Sequence, residues 1–285
     1  MNNIKHLVKK SFVNGLWYTL GRRNLVRLSR FLANEARLDV ANDMEANGEL
    51  LVQQVILDRL LGSDRNVVFD VGGNVGLWTK SLLRQAPATA RLQIHLFEPC
   101  AETYQELAAN LQKWNLLDRA VPCQLALSSH GGEADFYSLG PTEGRNSLHP
   151  IGEPERLAVG KVTLKTIDQY CLETHIDHVN FIKVDTEGHD FEVIAGAGSM
   201  LKNLQIDAMQ FEYNWRWIGS RHYLKDVFDF IQPLAYSLGK VTPFGVEFYS
   251  HWHFELETFR EANFLLVRTP LTSLFPKIQW WDETA

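Results

Sequence analysis

Apolar residues recur along the chain at two different periods, and the switch between them divides it. Ile4, Leu7, Val8, Phe12, Leu16 and Leu20 repeat at helical spacing with Lys5, Lys9 and Lys10 on other faces, which predicts an amphipathic helix. A second periodic stretch over residues 25–38 is also basic, and residues 49–61 predict a further helix closed by Gly62. Beyond it, short apolar runs alternate with helical ones. Strands are expected at residues 67–71, 92–97, 120–127, 133–139, 179–185, 206–211, 234–241 and 263–268, with a short edge strand at 162–167. Helices are expected at 77–85, 102–114 and 223–231, and another ends at Leu201. Such alternation predicts an α/β fold, a largely parallel sheet with helices on both faces. The expected division is a basic amphipathic helical extension at 1–62, a main domain at 63–270 and a tail at 271–285.

Composition narrows the class. A chain of 285 residues with 45% hydrophobic and 22% charged content has an ordinary globular balance and can bury a core without disulfides. Its three cysteines, Cys100, Cys123 and Cys171, have no metal-ligand spacing, which points to free thiols in a reducing compartment. No apolar run approaches the roughly 18 residues of a membrane span, and no signal-peptide pattern opens the chain. A cytoplasmic protein is expected. Net charge is −6, but residues 1–37 hold eight Lys and Arg against one acid, +7, which leaves −13 for the remainder. An acidic main body argues against a nucleic-acid partner. The basic helices suit packing on their own domain, a partner protein, or the anionic surface of a membrane that the protein associates with peripherally.

Candidate chemistry gathers where strands end. Residues 66–79 read as strand, tight turn and helix start, with Gly72, Gly73 and Gly76 in the turn. Glycine lets such a backbone approach a ligand closely. A dinucleotide fingerprint would require glycine at 72, 74 and 77, but Asn74 and Leu77 stand there. Asp70, just before the turn, repels a pyrophosphate and suits a cationic ligand such as S-adenosylmethionine. Glu98, at the end of the second strand, can accept both hydroxyls of a ribose diol. Leu127 and Ser128 fall one strand further out, where they can wall an adenine. Within the Gly- and Pro-rich loop 140–160, Arg145 and Asn146 are the expected points of ligand contact. Lys183 and Asp185 sit in an apolar strand, where charges are costly unless paired or functional, and Glu187 and His189 follow at once. Glu212 and Asn214 close the next strand. They are candidate substrate contacts, and with Asp185 they form an all-oxygen set that would suit Mg²⁺.

These motifs, Phe69 to Gly76, Phe97-Glu98-Pro99, Ala126-Leu127-Ser128 and Phe181 to Gly188, resemble the FkbM family of S-adenosylmethionine-dependent methyltransferases over roughly residues 64–268. The family usually has Ala where this chain has Gly73. The resemblance implies a Rossmann-like class I methyltransferase fold, a seven-stranded sheet whose last strand, 263–268, is antiparallel. It also implies O-methylation of a hydroxyl on a sugar, glycan or related small-molecule acceptor. By position, Asp70, Gly72, Asn74 and Gly76 would hold the methionine end of the cofactor, Glu98 the ribose, and Leu127 with Ser128 the adenine. Asp185 is the first choice to orient or deprotonate the acceptor hydroxyl, with Glu187 and His189 second and Lys183 as a partner that lowers a pKa. The alternatives are an NAD-type oxidoreductase, against which the glycine spacing counts, and a non-catalytic cofactor-binding module, which leaves Lys183, Asp185 and Glu187 unexplained.

Overall fold

The computed structural model describes residues 2–39, 43–62, 65–87, 89–138, 146–149 and 157–279. Eleven strands are formed among them: β1 (Asn66–Val71), β2 (Leu92–Phe97), β3 (Ala120–Cys123), β4 (Ala126–Leu127), β5 (Gly132–Ser138), β6 (Leu157–Lys165), β7 (Val179–Val184), β8 (Ile206–Tyr213), β9 (Tyr236–Thr242), β10 (Gly245–Tyr249) and β11 (Ala262–Arg268). The main sheet has the order β10-β9-β11-β8-β7-β1-β2-β3. Within it β3, β2, β1, β7 and β8 are mutually parallel, and β11 runs antiparallel to both β8 and β9. This is the expected Rossmann-like sheet of seven strands with an antiparallel last strand, extended by one. The eighth, β10, hairpins onto β9 from an aromatic-rich stretch.

Three local readings differ from the structure. The apolar run 120–127 does not form one strand: β3 pairs with β2, whereas β4 pairs with β6 in a separate three-stranded sheet of order β4-β6-β5. Pro122 lacks a backbone donor, which an edge strand tolerates, and Leu125 N turns back to Cys123 O at 3.0 Å. Second, β6 lies at the centre of that small sheet, not at an edge. After it, Thr166 begins an unpredicted helix, Ile167–Thr174, as the first half of a capping box with Gln169. Third, helix Glu49–Val55 continues as a π-helical turn, Ile56–Leu60.

Each face of the sheet carries its own core. One packs Phe69, Val71, Phe97, Ile182, Phe211 and Trp217 beneath helices 167–174, 190–195 and 224–231. The other buries Val68, Ile94, Phe181 and Leu265 against Val52, Ile56 and Leu60. Residues 49–60, assigned by sequence to the extension, thus complete the sheet's second layer, and Phe275 of the expected tail joins them.

The first helix, Asn2–Arg37, breaks at Gly21, whose φ of 71° and ψ of 156° leave the helical region. Phe12, Tyr18 and Phe31 on it are exposed. Its end is tied down: Arg37 donates to Glu255 O at 2.6 Å, and Lys240 Nζ reaches Arg37 O at 2.7 Å and the Asp39 carboxylate. The Lys240 and Asp39 side chains are only 7% and 4% exposed. Asp39→Ala should therefore strand a buried ammonium and cost about 3–5 kcal/mol, read as a lower urea midpoint. Part of that loss should return in Asp39→Ala with Lys240→Met.

Candidate functional site

A cleft of about 560 Å³, open to solvent, lies along the carboxyl ends of β1, β2, β4 and β7. Open parallel sheets bind ligands at this edge because the strand-to-helix turns there expose backbone and polar ends. The turn after β1 contributes Gly72 and Asn74. Gly72 adopts φ +78°, and a Cβ there would sit 1.9 Å from Asp185 O. Only glycine lets this turn close on the end of β7. Gly72 N and Gly73 N both donate to Phe97 O, at 2.9 and 3.0 Å, which fixes the turn to β2. Gly76, at φ +87°, gives way to Leu107, which a Cβ would meet at 2.8 Å. The Asn74 Oδ1 and Thr103 Oγ1 atoms, both of cleft-lining residues, are buried without a hydrogen-bond partner among the described residues.

Glu98 opens the next wall. It is buried and accepts the Cys100 amide at 2.9 Å. Burial pushes its carboxyl up to about 7, against the pull of the Cys100 and Asn74 amides. Beside it Pro99, Ala126, Leu127, Phe136 and Leu148 make an apolar slot, with Asn146 at the rim. Across the cleft stand Asp185, Thr186, Glu187 and His189. Asp185 receives Lys183 Nζ at 2.8 Å, and its side chain remains 32% exposed. Burial pulls the Lys183 ammonium down, but Asp185, Glu49 and Asp70 more than offset it, so it stays charged. Glu187 pairs with Arg216 at 3.0 Å, and its carbonyl accepts Ser147 Oγ at 2.8 Å. His189 is buried, with one ring nitrogen 3.0 Å from Ser128 Oγ and the other 3.0 Å from His149 Nε2. Burial first, then His149, His130 and His222, lower it to about 3, so its ring is neutral.

Of the residues singled out by sequence, Gly72, Asn74, Glu98, Leu127, Asn146, Asp185, Glu187 and His189 meet in this cleft. Ser128 is behind its wall, bonded to His189. Asp70 is not among the residues that line the cleft: it is wholly buried and takes the Thr79 hydroxyl at 2.7 Å. Burial raises the Asp70 carboxyl, with Lys183 opposing. Lys183, directly opposite Asp70 in the register of β1 and β7, is likewise not a cleft residue and reaches the site through its pair with Asp185. Glu212 instead borders a smaller cavity with Asn47, Lys240, Glu261 and Asn263.

The Mg²⁺ set read from the sequence is not the one assembled. Asn214 spends its amide on Glu212, donating at 2.6 Å, and its oxygen on Arg216 N at 2.8 Å. The carboxylates that do converge are Asp185, Glu187 and Glu212, and Lys183 and Arg216 already neutralise the first two. Arg145 lies outside the described residues. Sequence reasoning missed Phe136, His149 and Arg216. Phe136 carried a signal, an aromatic in an alternating strand, whereas a lone loop histidine carries none.

A family model described as the methyltransferase FkbM domain matches residues 70–238. Among curated proteins, hexuronic acid methyltransferase AglP of Haloferax volcanii is 28% identical over 169 residues, 57% of this chain and 62% of its own length. Methyltransferase 1 of Beauveria bassiana is 25% identical over 168 residues, 52% of this chain and 66% of its own. The match thus spans less than two thirds of the length of either relative. A crystal structure of an FkbM methyltransferase from Methylobacillus flagellatus KT aligns over 74% of this chain and 47% of that one, at 15% identity and TM-score 0.47. An O-methyltransferase from Bacillus cereus in complex with SAH aligns over 90% and 96%, at 8% identity and TM-score 0.41.

Proposed function

The chain belongs to the FkbM methyltransferase family, and from that premise we propose that it moves a methyl group from S-adenosylmethionine to a hydroxyl of a carbohydrate acceptor. The observation that carries the reading is the single cleft with Glu98 on one wall and Asp185 on the other. Its residues fit the cofactor. Glu98 accepts the ribose diol, and the slot of Ala126, Leu127, Phe136 and Leu148 takes the adenine. Gly72 and Asn74 meet the methionine end, where the orphaned Asn74 oxygen can accept from the ammonium. Asp70 acts one layer back, fixing the turn through Thr79.

When bound, the cofactor supplies an electrophilic methyl on a sulfonium, ready for in-line displacement. The chain's task is to aim the acceptor oxygen and take its proton. Asp185 is the carboxylate for this, held by Lys183 and partly open to the cleft. Glu187 is bound to Arg216, and both His189 nitrogens are engaged, so these two shape the site. The relative that acts on a hexuronic acid supports a sugar-type acceptor, and the acidic main body favours carbohydrate over nucleic acid.

Calorimetry with S-adenosylhomocysteine tests the reading. Micromolar binding is expected, and NAD binding without it would overturn the proposal. The pH dependence is specific. Two ribose hydroxyls require ionised Glu98, so affinity should weaken about tenfold per unit as pH falls below 7, a dependence lost in Glu98→Gln. In the free protein the sign is opposite. The folded state binds the proton more tightly than the unfolded chain, so the Glu98 contribution to stability falls as pH rises from 4.5 to about 7.

A further inference from the structure

We propose that His149, His189 and Glu192 form a binding site for a divalent d-block cation of the zinc class, a structural site at the edge of the cleft that takes no part in the methyl-transfer chemistry. The three donor atoms lie within 4.8 Å of one another. His149 Nε2 is 3.0 Å from His189 Nδ1, and His189 Nδ1 is 3.7 Å from Glu192 Oε2. Four ligands at about 2.0–2.1 Å around tetrahedral zinc stand about 3.4 Å apart. The two separations made by His189 bracket that edge, and the third, between His149 and Glu192, is no more than 4.8 Å, so side-chain adjustment without backbone movement brings the three donors onto the ion.

The remote atoms of the ligands are also held. His189 Nε2 meets Ser128 Oγ at 3.0 Å. Glu192 Oε1 meets His222 Nε2 at 3.3 Å, and His222 Nδ1 meets Asp226 Oδ2 at 3.2 Å. Outer contacts of this kind orient metal ligands and fix the tautomer of a ligating histidine. With Nε2–H donated to Ser128, the Nδ1 lone pair of His189 is turned to His149 Nε2 at 3.0 Å and to Glu192 Oε2 at 3.7 Å. That oxygen is buried and takes no hydrogen bond from another side chain among the described residues. A cation between the three donors would give that unpaired carboxylate oxygen a partner and take the place of the proton shared by the two imidazoles.

Donor chemistry selects the ion. Two imidazoles and one carboxylate suit zinc and its neighbours, whereas Mg²⁺ and Ca²⁺ prefer all-oxygen sets. Three protein ligands leave a fourth position for water. His189 and Glu192 bracket the start of the helix Asp190–Ala195 after β7. His149 follows Asn146 and Leu148, which line the cleft. The ion therefore pins that wall of the cleft to the body of the domain.

The test uses the full chain, purified without a histidine tag, stripped with chelator and titrated with Zn²⁺ alone. One equivalent should bind and raise the melting temperature, and Mg²⁺ should do neither. Co²⁺ in its place should give the intense visible absorption of a tetrahedral site, which tests the unmodified chain. His149→Gln and Glu192→Gln should each weaken Zn²⁺ by at least about 100-fold, and His222→Ala by roughly 10–100-fold. Melting of each metal-free variant checks that it has folded. Substoichiometric Zn²⁺, a faint octahedral Co²⁺ spectrum, or an affinity unchanged by both ligand variants would overturn the proposal. In that case the other tautomer, with Nδ1–H donated to His149, satisfies the histidine pair without an ion.

Discussion

Replacing Gly72 with alanine should abolish S-adenosylhomocysteine binding, a loss of about a hundredfold or more, and methyl transfer should disappear with it. The new Cβ would lie 1.9 Å from Asp185 O and 2.9 Å from its carbonyl carbon. Neither neighbour is a side-chain end that can swing aside. Asp185 N is bonded to Val71 O at 2.9 Å, the last rung between β1 and β7, and Gly72 N is bonded to Phe97 O. The backbone at φ +78° adds strain of its own for an L side chain. Relief requires the ends of β1 and β7 to part, which displaces Asn74 and Asp185 together. Gly73 makes the control. A Cβ there meets nothing closer than 3.4 Å, the Leu96 Cβ, and Gly73→Ala should leave cofactor affinity within about threefold. Calorimetry on both variants, with melting curves to confirm folding, checks the contrast. Wild-type affinity in folded Gly72→Ala would mean that the cofactor does not rest on this turn.

That turn was legible because its information is local. Three glycines, a preceding strand and a following helix fall within residues 66–79, and their conformations follow from sterics at each position. Glu98 and Asp185 were legible for the same reason, as acids at the ends of apolar runs. Pairing partners were less so. Periodicity reports which residues are buried, not which strand lies alongside, so Ala126 and Leu127 looked continuous with β3 although they pair with β6. β6 looked like an edge because nothing local shows that it inserts between β4 and β5, two strands that follow one another upstream of it. Side-chain direction was lost in the same way at Asp70. Its charge was obvious, but it is wholly buried, takes the Thr79 hydroxyl and is not among the residues that line the cleft. His149 and Arg216 enter the site through contacts 40 and 29 residues distant in sequence, with His189 and Glu187 respectively, and no local pattern announces either.

Asp185→Asn carries the second large expected effect, a fall in kcat of about 10²–10⁴-fold on whichever glycan acceptor supports turnover. Asparagine has nearly the same shape, and its carbonyl can still accept from Lys183 Nζ, which meets Asp185 at 2.8 Å. The buried ammonium keeps a hydrogen bond, along with Glu49 and Asp70 as nearby carboxylates, so the fold should hold and S-adenosylhomocysteine affinity should change by no more than about threefold. What disappears is a basic oxygen beside the acceptor hydroxyl, needed only as its proton leaves. A group used only in the transition state lowers kcat and kcat/KM together and leaves cofactor binding alone. A uniform-binding role would instead raise KM at constant kcat. Glu187→Gln separates the two acids: it breaks the pair with Arg216 at 3.0 Å, so its loss should appear in the melting temperature as well as in turnover. If Asp185→Asn turns over at the wild-type rate, the proton leaves by another route and Asp185 serves only to neutralise Lys183.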